Sequence, residues 1–441
     1  KELIIILKIP EKFRESLGIN AKILSSTNTF YDWLNKKWQI YATSIINKGQ
    51  PYLDFSNIKT EIAGLLSLGL LSPVETKSVD LVDVWFSNWI RRKVLEIDEI
   101  RRLREELSRK IDKLHDFVEW FSILRNISEL ELRIDDRDVE IINEFIGILD
   151  FIDEKFSNWY LSSIGEISNR SPYYKPWTVD QVLNHLRMRY GSKICLVVID
   201  ALSYFSWLQF RDFLVKNGYL IKREELILTW IPTITEICRK SLLSGKKVRD
   251  LIKMNSKTED RLCLDFWRNY VEQDKIAYLK FESGKPWGVS EEELEHEIIA
   301  IVINQIDDIV HTSSSYQELN ERLRQCFERI HPVINKISKL GFNVFITSDH
   351  GFRRCTEKEY YGKKTFINTK GSRFFISERK EQVGGVIVNG SIVGFKESEY
   401  IHLSCNSVTY SKFEKIFDHG GITVQECIIP FVEVSTLEEV G

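Results

Sequence analysis

The sequence predicts an α/β protein: a mostly α-helical domain at residues 1–185, then a domain at 186–441 whose mainly parallel sheet is covered by helices on both faces. Three observations lead to this fold class. At 441 residues, the chain is longer than one hydrophobic core usually supports. In the first part, apolar residues recur every three or four positions, as at Ile100, Leu103 and Leu107. In the second part, short apolar runs alternate with helical stretches, which is typical of parallel strands joined by helices.

The elements of the second domain follow one another after a proline-containing link at 169–178. Wholly apolar runs of strand length predict buried strands, and periodic stretches predict helices. In chain order, these are the strand "KICLVVID" (193–200), a helix at 204–216, the strand "YLIKREELILTWIP" (219–232), a helix from about Thr235, helices at 291–312 and 315–340, and the strand "FNVFITSD" (342–349).

Composition and charge exclude several classes of protein. No apolar run reaches the roughly 18 residues of a membrane span, and the first residues lack a signal-peptide pattern. We therefore expect a cytoplasmic chain without membrane contact, and the missing initiator Met suggests a fragment of a longer protein. The seven cysteines form no CxxC pair, which argues against a disulfide framework or a thiolate zinc cluster. The net charge of −3 argues against a general polyanion-binding surface.

Acidic residues and a histidine stand where two predicted strands end. Asp200 ends the first strand, and the adjacent pair Asp349 and His350 ends the last one in "ITSDHG". In a parallel sheet these ends meet at one edge, where ligands bind. A carboxylate that ends an apolar run needs a cation or donors to offset its desolvation. The alternative is that each Asp caps a helix or forms part of a turn.

Two further groups of residues could ligate a metal. Asp307 and His311 are spaced i, i+4 on a predicted helix, so both side chains project from one face. Asp308 is the alternative to Asp307, and a solvated Asp–His pair is the alternative to a ligand pair. His419 precedes two glycines, which allow a sharp bend before an apolar strand.

A hydroxyl group and an arginine stand at the start of the helix that begins near Thr235. Thr235 is either a helix cap or a hydroxyl held at a helix N-terminus, where an anion is stabilised. Arg239 lies four residues on, on the same face, and could reach a phosphate oxygen. Thr233 competes with Thr235 for this role.

Taken in order, these parts resemble the alkaline-phosphatase superfamily. Within it, the sequence resembles the PglZ domain through "VVIDALSY" (197–204), "PTITEICRKSLLSG" (232–245), "SDHG" (348–351) and "HGGITVQECIIP" (419–430), spread over roughly residues 190–435. The superfamily order of parts is a strand-ending Asp, a hydroxyl nucleophile, an Asp with a His one turn later, an Asp-His pair and a final His. Residues of this sequence fill every place: Asp200, Thr235, Asp307 with His311, Asp349 with His350, and His419.

The resemblance implies a two-metal phosphoric ester hydrolase. One ion would be held by Asp200, Asp349, His350 and the Thr235 oxygen, the other by Asp307, His311 and His419, with zinc expected and manganese as the alternative. Thr235 would be the nucleophile. The family further implies a phosphodiester substrate, such as a nucleotide or nucleic acid, and a place in BREX phage defence beside other defence proteins. The alternative function is a catalytically silent, metal-binding interaction module that assembles a defence or signalling complex.

Overall fold

The computed structural model describes residues 27–46, 55–67, 70–76, 86, 90–92, 95–111, 114, 116–251, 257–359, 370–380, 384–412 and 414–436. The chain divides into two compact units, Lys1–Val94 and Leu95–Gly441. Across the ranges just given, no helix combines the length and the apolar character that a bilayer crossing requires. The predicted domain boundary between residues 185 and 186 stays a prediction.

The first unit has a small aromatic core. The rings of Trp38 and Phe86 meet edge to face with centroids 5.0 Å apart, and both side chains are fully buried. Its described elements are helices α1 (Thr27–Ile46) and α2 (Lys59–Ser67), a 3₁₀ turn at Ser56–Ile58, and the parallel strands β1 (Val74–Thr76) and β2 (Ile90–Arg92).

The second unit begins with helices α3 (Ile97–Lys110), α4 (Phe117–Glu131) and α5 (Val139–Ile167). Asp116 and Glu119 form a capping box at the start of α4, and the Asp138 carboxylate accepts from Ile141 N at the start of α5. The helices that follow are α6 (Val182–Arg189), α7 (Tyr204–Lys216), α8 (Thr235–Ser244), α9 (Val248–Leu251), α10 (Glu259–Trp267), α11 (Glu291–Leu294), α12 (Gln305–Thr312), α13 (Tyr316–Ser338) and α14 (Val424–Cys427), with 3₁₀ turns at Val179–Gln181, Gln273–Lys275 and Gly390–Ile392.

A six-stranded sheet forms the centre of this unit. Its strands are β3 (Ile194–Ile199), β4 (Tyr219–Leu228), β5 (Ile276–Phe281), β6 (Ile298–Ile303), β7 (Asn343–Thr347) and β15 (Ile428–Thr436). They lie in the order β4-β15-β7-β3-β6-β5. Strand β3 pairs in parallel with β6 and β7, and β5 pairs in parallel with β6, whereas β15 runs antiparallel to both β4 and β7.

Shorter strands lie between β7 and β15 in the chain. They are β8 (Arg353–Arg354), β9 (Glu357–Lys358), β10 (Phe374–Ser377), β11 (Val386–Asn389), β12 (Tyr400–Leu403), β13 (Val408–Thr409) and β14 (Phe417–Asp418). Strand β12 is the middle strand of a three-stranded sheet, with β10 and β11 on either side. Strand β9 pairs with β13, and β8 pairs with β14.

Helices cover both faces of the central sheet. Cys195, Val197 and Ile199 of β3 belong to a core shared with α4, α5, α7 and α13, and the alternate residues Ile194, Leu196 and Val198 belong to a core shared with α6, α8 and α10. This alternation follows from the two-residue period of a strand. The predicted fold class, a mainly parallel sheet between helices with a helical region before it, is confirmed.

The predicted helix at 291–312 is wrong. The structure has the short helix α11, then strand β6, and only then helix α12. Every residue of β6, "IIAIVI", is buried, because β6 lies between β3 and β5 with cores on both faces. A strand buried on both faces has no polar alternation, and its β-branched residues were the remaining signal for a strand.

A buried glutamate connects three helices of this unit. Glu131 at the end of α4 accepts hydrogen bonds from Tyr316 Oη of α13 and from Gln425 Nε2 of α14, each at 2.7 Å. Its side chain is 2 % exposed. Burial raises the pKa of Glu131 to about 7 in spite of these donors. The folded chain therefore keeps a proton on Glu131 at pH values where the unfolded chain has released it.

We expect Glu131 to make the chain less stable as the pH rises from about 4.5 to about 7, because the unfolded chain binds fewer protons over that interval. The loss is on the order of 3 kcal/mol at most. Glu131→Gln stays uncharged, so the difference in melting temperature between variant and wild type should grow through this interval. Thermal denaturation followed by circular dichroism measures it, with Glu140→Gln on the exposed face of α5 as the control. Parallel pH curves for wild type and Glu131→Gln would contradict this role.

Candidate metal centre and catalytic site

Asp200, Asp349 and His350 lie together at the carboxyl edge of the sheet. Asp200 directly follows β3, and Asp349 and His350 follow the neighbouring parallel strand β7, so the sheet itself places them side by side. Their ligand atoms lie within 4.8 Å of one another, and all three residues are buried. Ala201 takes a left-handed conformation with φ of 60° directly after Asp200, and its N–H donates to Asp349 Oδ1 at 3.4 Å. We call these three residues the first donor group.

Asp307, His311 and His419 form the second donor group. Asp307 and His311 stand one turn apart on α12, and His419 follows β14. Asp307 Oδ1 lies 3.2 Å from Nε2 of each histidine, and the two Nε2 atoms are 3.0 Å apart. His419 Nδ1 lies 2.8 Å from Thr233 O, so a proton on Nδ1 leaves the Nε2 lone pair directed at the other two residues.

Both donor groups fit a divalent cation. Asp307 Oδ1 is buried, and no described residue gives it a hydrogen bond. A buried carboxylate oxygen with two imidazole nitrogens turned toward it is a set of donors that zinc prefers. Burial, reinforced by the neighbouring His419, lowers the pKa of His350 to about 4, so its imidazole is neutral near neutral pH, the form that binds a metal. Burial alone would lower the pKa of His419, but the Asp307 carboxylate has the larger effect and raises this pKa to about 9. A cation bound by the second donor group would therefore displace a proton from His419.

The Thr235 hydroxyl contacts the first donor group. Thr235 is the first residue of α8, and its Oγ1 is 3.3 Å from Asp200 Oδ1 and 3.2 Å from His350 Nε2. The rings of His350 and His419 stack with centroids 4.1 Å apart, so the two donor groups adjoin. Thr233 is fully buried instead, and its hydroxyl donates to Gly421 O at 3.1 Å and accepts from Gly420 N at 3.0 Å.

Arg239 contacts the carboxylates of the first donor group. Its guanidinium donates to Asp349 Oδ2 at 2.9 Å and to Asn304 Oδ1 at 2.8 Å, and it forms an ion pair with Asp200. The side chain is 1 % exposed. In this arrangement Arg239 neutralises and orients the two carboxylates, whereas the predicted contact with a phosphate oxygen stays a prediction.

The alternative ligand Asp308 faces away from the histidines. Its Oδ1 accepts from Lys370 Nζ at 2.5 Å, and its other oxygen accepts from the Ser283 hydroxyl. Lys370 Nζ also lies 2.9 Å from Asp307 Oδ2, so this half-exposed lysine neutralises the outer oxygen of Asp307. The geometry supports Asp307 as the residue that belongs with His311.

Three residues beside the second donor group were not predicted as site residues from the sequence: Asp418, Lys415 and Lys370. Asp418 is fully buried and lies 3.7 Å from His311 Nδ1, and Lys415 Nζ lies 3.3 Å from Asp418 Oδ1. One sequence signal could have revealed Asp418: the tripeptide Asp-His-Gly occurs at 349–351 and again at 418–420. Neither Lys415 nor Lys370 has a comparable motif.

Two glycines near the site are required because other atoms come too close for a side chain. A Cβ at Gly351 would lie 2.1 Å from the Gln425 carbonyl oxygen, and a Cβ at Gly371 would lie 2.7 Å from His419 Nδ1. Gly351 N–H also donates to Glu426 O at 2.9 Å. These approaches place the segment around His419 against the end of β7.

Comparison with known proteins gives one family and several distant structures. A family model described as the BREX system PglZ alkaline phosphatase-like domain matches residues 179–434. No curated protein matches the sequence. An inactive variant of murine ectonucleotide pyrophosphatase/phosphodiesterase 5 in complex with AMP is similar, with 11% identity and a TM-score of 0.38 over 55% of this chain and 88% of that chain. The phosphonoacetate hydrolase of Sinorhizobium meliloti in complex with phosphonoacetate is similar with 13% identity and a TM-score of 0.38, over 55% and 90%.

We expect Arg239→Ala to lower the free energy of unfolding by about 3–5 kcal/mol in a chelating buffer, because it leaves two buried carboxylates without their cation. Urea denaturation measures this loss. The matched control is Arg324→Ala on α13, an exposed arginine paired with Glu321 and Glu328, which should change the stability by about 0.5 kcal/mol or less. Adding Asp349→Asn to Arg239→Ala should restore part of the loss. If Arg239→Ala lowered the free energy of unfolding no more than Arg324→Ala does, the buried ion pairs of Arg239 would contribute nothing to stability.

Proposed function

This chain belongs to the BREX system PglZ alkaline phosphatase-like family, whose model spans more than half of it, and from this premise we propose that it is a metal-dependent phosphoric ester hydrolase with Thr235 as its nucleophile. The observation that carries the proposal is the position of the Thr235 hydroxyl, within 3.3 Å of both Asp200 and His350 of the first donor group. Thr235 is only partly buried, unlike Thr233, and its hydroxyl has both a carboxylate and an imidazole group beside it.

Two divalent cations fit the donors of this site. Asp200, Asp349 and His350 with the Thr235 oxygen would hold one, and Asp307, His311 and His419 would hold the other. Such ions would supply positive charge at the phosphoryl oxygens and would lower the pKa of a coordinated hydroxyl. We propose zinc, because the second group offers two imidazole nitrogens and one carboxylate oxygen, with manganese as the alternative.

The residues of the chain perform the other tasks of the reaction. Asp200 and His350 hold the Thr235 oxygen in position, and Arg239 holds Asp200 and Asp349 in turn. The Thr235 hydroxyl gives up its proton as its oxygen bonds to phosphorus, and the P–O bond to the leaving ester oxygen breaks, so that this oxygen leaves and is protonated to an alcohol. Water then cleaves the P–O bond of the phosphothreonine, which restores the Thr235 hydroxyl and releases phosphate or a phosphomonoester. Helix α8 begins at Thr235, and no described side chain caps its first turn, so the positive end of this helix lies beside the Thr235 hydroxyl, where it would stabilise a phosphoryl anion.

The finer features of the function are proposals that rest on the family. They are a preference for diesters over monoesters, a nucleotide or nucleic-acid substrate including nuclease activity, a role in phage defence beside other defence proteins, and a cytoplasmic location. The AMP and the phosphonoacetate belong to the structures that contain them and are compatible with a phosphorus-containing substrate here.

We expect Thr235→Ala to lower the hydrolysis of a generic nitrophenyl phosphodiester by at least about a thousandfold, because among the described residues no other hydroxyl bonds to the Asp200 carboxylate. Thr235→Ser keeps a hydroxyl and should retain measurable turnover. Metal content, measured by mass spectrometry on the same preparations, should stay at about two ions per chain in both variants, because Asp200, Asp349 and His350 still provide three ligands when the Thr235 oxygen is lost. Wild-type turnover by Thr235→Ala would exclude Thr235 as the nucleophile, and rates on the matching monoester would show the substrate preference.

We expect Gly371→Ala to displace His419, because the added methyl group would lie 2.7 Å from His419 Nδ1. The bound metal should then fall from about two ions per chain to about one, since one donor group loses an imidazole. Gly288→Ala is the matched control, because its Cβ would meet no atom within 4 Å. Equal metal content in the two variants would contradict a ligand role for His419.

A further inference from the structure

Exposed aromatic and basic residues gather around the carboxyl end of helix α6, away from the donor groups. Large apolar side chains are well exposed here: Tyr173 at 45 %, Tyr174 at 77 %, Met188 at 37 % and Tyr270 at 51 %. Arg187 and Arg189 stand among them. These six residues are called the basic–aromatic surface.

Helix geometry makes these residues neighbours. Successive residues of a helix point about 100° apart, so Met188 faces outward between Arg187 and Arg189. The Arg187 guanidinium lies 4.5 Å from the ring centre of Tyr270, and the Arg189 guanidinium lies 5.4 Å from that of Tyr173. Tyr173 and Tyr174 meet edge to face with centroids 5.1 Å apart. One continuous surface therefore runs from Tyr270 to Tyr174.

The two arginines of this surface have no anionic partner in the part of the chain that the structure describes. Neither forms an ion pair or a hydrogen bond there, and Arg187 Nε is buried without an acceptor. Nearby cations are neutralised instead: Lys175 and Arg223 both pair with Glu225, at 3.3 and 3.2 Å. The carbonyl end of α6 attracts cations, but it does not account for the exposed tyrosine rings beside them.

The basic–aromatic surface lies at the opposite edge of the sheet from Thr235. Helix α6 ends at Arg189, just before β3 starts at Ile194, whereas Asp200 follows the other end of β3. A strand of this length spans roughly 20 Å. A group bound at this surface would therefore lie too far from Thr235 to be the group held at the donor groups.

We propose that the basic–aromatic surface binds a single-stranded nucleic acid, with phosphates against Arg187 and Arg189 and with bases stacked on the exposed tyrosine rings. Grooves that hold single strands combine cations for the backbone with aromatic faces for the bases. An acidic peptide would also pair with the arginines, but it brings no flat ring for Tyr174. A single-stranded nucleic acid therefore offers partners both for the arginines and for the tyrosine rings of the surface.

Fluorescence anisotropy with a labelled single-stranded DNA oligonucleotide of mixed sequence tests the proposal. The full chain is titrated in EDTA at several salt concentrations, so that binding is measured without turnover. In a plot of log affinity against log salt, Arg187→Ala with Arg189→Ala should reduce the slope by about 1.4, which corresponds to two phosphate contacts. Tyr174→Ala should weaken binding about tenfold at an unchanged slope.

Arg324→Ala serves as the control, because it removes an exposed arginine that already has two glutamate partners. It should bind the oligonucleotide as the wild type does. The proposal is overturned if the double arginine variant keeps the wild-type salt slope, or if the wild type does not bind the oligonucleotide. It is also overturned if a labelled polyglutamate peptide binds more tightly than the oligonucleotide and depends on the same arginines.

Discussion

The burial of carboxylates at the carboxyl edge of the sheet is the constraint to which the rest of the site is adapted. Asp200, Asp307, Asp349 and Asp418 are each at most 4 % exposed, and each would be costly to bury without a positive partner. Arg239 forms ion pairs with Asp200 and Asp349, Lys370 forms one with Asp307, and Lys415 forms one with Asp418. These cations leave the inner oxygens and the histidine nitrogens facing one another, which is the condition for binding a metal.

The helices before the family domain take part in building this site. Asp153 of α5 accepts a hydrogen bond from Val424 N at 2.8 Å and pairs with the buried Arg353 just after the first donor group. Tyr160 of the same helix donates to Thr229 O at 2.6 Å, on the segment that leads to Thr235. Glu131 of α4 contacts Gln425. Helices α4 and α5 thus hold the segments on both sides of the proposed catalytic residues, although both helices lie outside the residues matched by the family model.

Residues that directly follow an apolar run could be predicted as site residues from the sequence, whereas contacts between segments far apart in the chain could not. Asp200, and Asp349 with His350, follow apolar runs directly, so the strand ends could be recognised from a few residues each. Strand β6 was misread as helix because burial on both faces removes the polar alternation that marks a strand. Lys370 reaches Asp307 across 63 positions, and no pattern within either segment encodes that contact. The same holds for Arg239, whose spacing suggested a phosphate contact while its partners are the carboxylates at 200 and 349.

The reversed direction of β15 determines when the site can form during synthesis. Because β15 runs against β4 and β7, the segment that precedes it arrives at the same edge where those strands end. The first donor group is complete once residue 350 has left the ribosome, but the second lacks its last imidazole until residue 419 has followed. For the time needed to make some seventy residues, the nascent chain carries the complete first donor group but only Asp307 and His311 of the second, so a cation captured then would find a full set of donors only in the first group.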